Sequence, residues 1–163
     1  MIKQLILAVL ILTAAACNNK QSENKMETTK TENTPLFPKG ERTPAEYFRG
    51  NAYLHPIQQR TANNDFVIGS VTFEPGARTN WHTHPKGQVL IVTEGEGLYQ
   101  EKGKAARIIR KGDVVDIPVD VEHWHGATAK TKMVHIAITN YLGEENANWL
   151  APVSDEEYKQ ANQ

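Results

Sequence analysis

The chain is poor in cysteine, in aromatic residues and in net charge. One Cys occurs among 163 residues, so no disulfide framework can brace the fold. Its 18 Lys plus Arg nearly cancel its 19 Asp plus Glu, leaving a formal charge of −1. That balance gives no reason to expect a nucleic-acid partner. Aromatic residues are only 7%, while β-branched residues with Gly and Pro punctuation dominate from residue 66 onward. A solenoid-type repeat and a Gly-rich phosphate loop are both missing. The length suits one domain and is short for two. Long apolar runs are missing too, except at the start. There LILAVLILTAAA follows the positive start MIK. It is shorter than the roughly 20 residues a membrane span needs, and it ends in small residues, as a signal peptide does.

The sole cysteine, Cys17, stands directly after Ala14, Ala15 and Ala16. This resembles a bacterial lipobox, in which a peptidase cleaves before the Cys and the new terminus is acylated. Ala14 departs from the usual Leu of that motif. The alternative is an ordinary secretory signal with an incidental Cys. The resemblance implies a signal peptide over residues 1–16 and lipidation at Cys17. The product would be exported and lipid-anchored to a bacterial membrane, on its periplasmic side or at the cell surface. Residues 18–34 hold a single apolar residue, Met26. Such a segment cannot bury enough surface to offset its ordering entropy, so residues 17–34 read as a disordered tether. The folded domain is expected over residues 35–163.

Within that domain TPAEYFRG (43–50) reads as a short helix. Thr43 is placed to cap it, Pro44 to open it and Gly50 to stop it. From residue 66 short strands alternate with turn signals. DFVIGSVTFEPGA, RTNWHTH, QVLIVT and KGDVVDIP each read as a strand, with EGEG (94–97) as a turn. GLYQEKGKAARIIR reads as a hairpin around Gly103, and EHWHGATA with KMVHIAITN as a last hairpin around Lys130. Ser154 and Glu157 form a capping-box signal for a final helix. Short strands at regular spacing imply a sandwich or barrel rather than βαβ units.

Five of the six histidines lie between residues 82 and 135. Strand side chains alternate with period two, so His82 and His84 share a face, as do His123 and His125. In MVHIAIT, His135 shares its face with Met133 and Ala137. If the barrel closes, these faces can all point inward. A single His is usually a satisfied core or surface residue. Two His-x-His pairs on strands of one small barrel instead suit a divalent transition metal. His55 has no such neighbours and is expected to be structural.

The pattern Gly76-ARTNW-His82-Thr-His84-PKG-Gln88-VLIVTE-Gly95 resembles the first cupin motif, with Gln in place of Glu. Gly112-DVVDI-Pro118-V-Asp120-VE-His123 resembles the second, with Asp120 for a Gly and Ala127 for the closing Asn. The motifs span 76–95 and 112–127. The resemblance implies an all-β fold, a single double-stranded β-helix (jelly-roll) barrel with short N- and C-terminal helices. The Gln variant is shared with small single-domain bacterial cupins that include manganese-dependent hydroxynitrile lyases. Carried over, that family pattern gives His82, His84, Gln88 and His123 as ligands of one divalent metal. Manganese is implied first, while the donor set also suits iron, nickel or zinc. His125 then flanks the pocket, and His135 is a candidate acid/base.

Gln88 is chemically informative. A carboxylate would cancel one charge of the ion, whereas a neutral amide leaves both. The centre is then a stronger Lewis acid, and less suited to the +3 state that oxygen-activating iron uses. The reading that follows is a lyase of cyanohydrin type, with a small-molecule substrate. Its hydroxyl proton goes to His135, or failing that His125, and the C–C bond breaks to give an aldehyde and cyanide. Thr79 is placed to hydrogen-bond a substrate or water, and Gly69 and Val71 to shape the pocket wall. Trp81 and Trp124 alternate with ligand positions, so they are expected to pack away from the pocket. Two other classes stay open: a quercetinase-like dioxygenase or other metal oxidoreductase, and a non-catalytic small-molecule-binding cupin. The family also implies a homodimer or homotetramer.

Overall fold

The computed structural model describes residues 34–163. The expected signal segment, Cys17 and the expected tether lie outside the described residues, apart from Thr34. Twelve strands and one helix follow in order. They are β1 (Glu41–Arg42), β2 (Phe48–Arg49), β3 (Ala52–Gln58), β4 (Phe66–Phe73), β5 (Arg78–Thr79) and β6 (His82–Thr83). Then come β7 (Gln88–Glu101), β8 (Arg107–Arg110), β9 (Val114–Ile117), β10 (His123–Ala127), β11 (Met133–Asn140), β12 (Asn148–Trp149) and α1 (Asp155–Ala161). None of the described helices is long and apolar enough to cross a membrane.

Every strand pairing is antiparallel. One sheet runs β1-β3-β4-β11-β7-β9. The other runs β2-β5-β10-β7-β8, with β6 and β12 attached beside β10. β7 belongs to both: its first half pairs β11 and β9, its second half β10 and β8. The result is the all-β jelly-roll barrel expected. Period-two alternation sends Phe73, Leu90, Val92, Val115, Ile117 and Met133 into the space between the sheets, all at 2% exposure or less. Burying each such side chain contributes roughly 1.5–3 kcal/mol. A smaller cluster of Trp81, Leu98, Trp124, Val153 and Tyr158 forms around α1. Both tryptophans therefore pack together outside the main core, as their alternation requires. The α1 capping box is present, with Ser154 and Glu157 each bonding the other's backbone N–H.

Four local expectations are corrected. The segment 43–50 is not a helix. The Tyr47 and Phe48 N–H groups donate to Pro44 O in a single turn, and β2 begins at Phe48. Phe48 packs against the core while its backbone pairs with Thr79, and one isolated helical turn cannot compete with that. RTNWHTH is not one strand. It breaks at Asn80–Trp81, whose N–H groups donate to Tyr47 O and Ala151 O, leaving β5 and β6 as separate pieces. EGEG is not a turn, because β7 runs straight through it. The register against β11 shifts between Val92 and Glu94, a bulge just before Gly95, which takes a φ of 67° as the strand passes from one sheet to the other. Finally, β10 and β11 do not form a hairpin. The Thr128–Lys132 connection crosses from one sheet to the other, and both strands pair with β7. The hairpin around Gly103 does form, joining β7 to β8.

Candidate metal centre

The barrel brings five imidazoles into one buried group. β6 places His82, the following turn places His84, β10 places His123 and His125, and β11 places His135. All five are at most 4% exposed. The His82 ring lies 4.2 Å from the His123 ring and 5.0 Å from the His84 ring, centre to centre. One ligand nitrogen from each of His82, His123 and His125 lies within 4.8 Å of the others. His84 and Gln88 lie outside that tightest triangle but line the same cavity.

The hydrogen bonds fix which nitrogen each ring offers. His82 Nδ1 lies 2.9 Å from Asn80 O, His84 Nδ1 2.6 Å from Asn146 O, and His123 Nδ1 2.8 Å from Val121 O. A carbonyl only accepts, so each Nδ1 carries the hydrogen and each Nε2 keeps its lone pair. The Nε2 atoms of His84 and His123 are buried without a partner, and so is Gln88 Oε1. The other end of the Gln88 amide donates to Thr139 Oγ1 at 2.9 Å. Buried lone pairs left without a donor are costly unless something else satisfies them. A divalent cation is the kind of group that satisfies such lone pairs, so the residues present fit a metal.

His125 is a corner of the tightest triangle, and His135 pairs with it from behind. His135 Nε2 lies 3.1 Å from His125 Nδ1, so the two rings share one hydrogen. His125 Nε2 and His135 Nδ1 have no partner. His125 is thus part of the nitrogen cluster rather than a residue flanking it, and His135 stands behind it. Thr79 is buried, and its Oγ1 accepts from the His125 backbone N–H at 3.2 Å, which ties β5 to this part of β10.

Burial keeps the rings neutral. It holds His82 and His125 well below the ordinary histidine range, with neighbouring imidazoles adding to the effect. It pushes His123 and His135 down to about 4. Burial also lowers His84, against an opposing hydrogen bond to Asn146 O. Neutral imidazole is the form that binds metals.

The cavity beside the imidazoles measures about 300 Å³. Its walls include Phe48, Leu54, Ile68, Val71, Ala137 and Trp149, with Gly69 on β4, where Leu54 Cδ1 lies 2.6 Å from where a Cβ would stand. Among the described residues, none of those lining it carries a formal charge with His neutral. Its polar lining comprises four imidazoles, the Gln88 amide and the Thr79 and Thr139 hydroxyls, with Gln58, Gln59 and Asn146 also on the wall. Gly69 and Val71 therefore lie where the sequence reading put them. His55 stands apart and stacks on Phe37 at 6.3 Å.

A family model for the cupin domain matches residues 69–139, which include Gly69, Val71, the five imidazoles, Gln88 and Thr139. The (R)-mandelonitrile lyase of Granulicella tundricola is 46% identical over 116 residues, covering 71% of this chain and 88% of that protein. The chain belongs to the cupin superfamily. A crystal structure of a cupin-like protein from Thermotoga maritima agrees with this cupin at a TM-score of 0.76 and 45% identity, covering 78% of this chain and 97% of that one. A cupin-2 domain from Rhodospirillum rubrum, 16% identical with a TM-score of 0.54, covers 74% of this chain and 76% of its own, and shows the shared fold alone.

Some parts of the cupin site had no signal in the residue pattern. The carbonyls of Asn80, Val121 and Asn146 orient three rings, and a backbone carbonyl has no side-chain signature. Trp149 stacks on His82 at 4.7 Å and on Tyr47 at 4.8 Å, from a strand only two residues long. Thr139 was legible in principle. It lies two positions beyond Ala137 on the His135 face of β11.

Proposed function

We propose that this cupin is a divalent-metal-dependent lyase of cyanohydrin type, with manganese as its metal. The observation that supports the reading is a group of buried, uncharged donors, His82, His84, Gln88 and His123, of which the first three line an uncharged, largely apolar cavity. The 46% identity to a mandelonitrile lyase supports the same class. A divalent metal bound there supplies Lewis acidity toward a substrate oxygen.

The chain's own residues supply the rest. His125 Nε2 is a free lone pair within the nitrogen cluster when its Nδ1 donates to His135 Nε2. It accepts the hydroxyl proton of the cyanohydrin. The positive charge is then shared with His135 across the 3.1 Å hydrogen bond. The hydroxyl oxygen becomes the aldehyde carbonyl, the C–C bond breaks, and its electron pair leaves with cyanide. The proton returns from His125 to cyanide, giving hydrogen cyanide and a neutral dyad. This order reverses the preference for His135 drawn from sequence, because His125 stands nearer the ligand nitrogens. The apolar walls hold the organic part of the substrate and keep water out.

The test joins elemental analysis of the purified protein to mandelonitrile cleavage before and after metal removal. Expected are stoichiometric manganese and cleavage that is lost with a chelator and restored by Mn2+. Stoichiometric metal with oxygen uptake and no cleavage would instead establish an oxidoreductase. Metal without any turnover would leave a binding cupin. We further propose that Cys17 is lipidated and anchors the protein to a membrane, which radiolabelled palmitate incorporation tests. We also propose a homodimer or homotetramer, which light scattering of the purified protein tests.

A further inference from the structure

We infer that Thr139 is a positioning residue that lets Gln88 turn its carbonyl oxygen toward the metal. The inference rests on the metal reading above and concerns a residue that reading does not use. Gln88 opens β7 and Thr139 lies near the end of β11, and the two are direct cross-strand partners. Both are more than nine-tenths buried. Gln88 Nε2 donates to Thr139 Oγ1 at 2.9 Å, and Gln88 Oε1 has no partner.

An amide has two ends that differ in chemistry and hardly in shape. Its oxygen can face a cation and its NH2 cannot. When the oxygen faces the cation, the NH2 points the opposite way, into protein. In a buried place that NH2 needs an acceptor, or its desolvation is uncompensated. The structure supplies one acceptor for it, the Thr139 hydroxyl. The imidazoles cannot serve instead. His82, His84 and His123 commit their hydrogens to backbone carbonyls, so their free lone pairs lie on the metal side. Those lone pairs would in fact favour the reversed amide, with NH2 toward the rings. A hydroxyl acceptor behind Gln88 offsets that preference. Ligand partners of this kind are typically worth about 10- to 100-fold in metal affinity.

The test measures Mn2+ affinity, read from the electron paramagnetic resonance signal of the free ion, with no substrate present. Three backgrounds are compared. Thr139→Val keeps the shape and removes the acceptor, and it is expected to weaken Mn2+ binding about tenfold or more. Thr139→Ser keeps the hydroxyl and is expected to bind within about twofold of wild type. With Gln88→Leu in place the amide is gone, and adding Thr139→Val is expected to change affinity by less than about twofold. Circular dichroism melts verify that each variant is folded. The inference is overturned if Thr139→Val binds as wild type does, if Thr139→Ser loses as much as Thr139→Val, or if the loss is equal with and without Gln88. A wild-type protein that binds no Mn2+ overturns the metal reading itself and this inference with it. Wild-type binding with an indifferent Thr139→Val overturns this inference alone.

Discussion

Acidifying the metal-free protein is expected to cost it stability well before its carboxylates protonate. Burial pushes His123 and His135 down to about 4, from an ordinary value of 6.5. In the unfolded chain both rings take up protons around 6.5, and in the folded chain they do so only near 4. Between those values the unfolded state binds more protons, so stability falls as pH falls. Their contribution is complete above pH 6.5 and is lost progressively toward pH 4. For each ring the loss is about 2 kcal/mol at pH 5 and about 3 kcal/mol at pH 4. Two such rings put about 4 kcal/mol at stake by pH 5, against a typical total of about 5–15 kcal/mol. His82, His84 and His125 are shifted in the same direction and add to the slope. The assay is urea unfolding of chelator-treated protein at pH 7, 6 and 5, with free energies taken by linear extrapolation. A His135→Leu variant removes one ring and should lose about 2 kcal/mol less on going to pH 5. A wild-type free energy that stays flat from pH 7 to pH 5 would refute the claim that these rings are buried in neutral form.

Two further outcomes follow from contacts in the same structure. Trp149 stacks on His82, so titrating Mn2+ into the metal-free protein is expected to change tryptophan fluorescence, and Trp149→Phe is expected to abolish most of that change. An undiminished response in that variant would mean that Trp81 or Trp124 reports the event. A Cβ added at Gly126 would stand 2.4 Å from Ala77 O and 2.6 Å from Arg78 Cα, both backbone atoms that cannot swing away. Gly126→Ala is therefore expected to force β5 from β10 and cost about 1–3 kcal/mol, read as a lowered melting temperature. Unchanged melting would show that this edge of the sheet can move freely.

The strands were legible where local pattern and tertiary role agree. FVIGSVTF, VVDI and HWHGA alternate faces or run apolar between turn residues, and each became a strand. The two His-x-His pairs were legible for the same reason. The failures share a different cause. EGEG has turn composition, yet Gly95 and Gly97 are there because chain passes close by. A Cβ at Gly97 would sit 2.4 Å from Gly126 O. TPAEYFRG has helix-start composition, yet Phe48 is drawn into the core and its backbone into pairing with β5. In both segments a contact distant in sequence outweighs local preference.

The sequence by itself determined the chemistry available to this protein. Period-two spacing puts imidazoles on common strand faces, and Gln88 stands where the motif's other version has a charge. Tertiary structure alone decided how that chemistry is aimed. Three backbone carbonyls, from Asn80, Val121 and Asn146, leave Nε2 as the free nitrogen on His82, His84 and His123. His135 lies behind His125 because β10 and β11 sit on different sheets that share β7. Thr139 meets Gln88 because their strands pair in one register. Residue types can be read along a chain, but a hydrogen-bond partner is a fact of three dimensions, and it sets which atom of each ligand is free to bind.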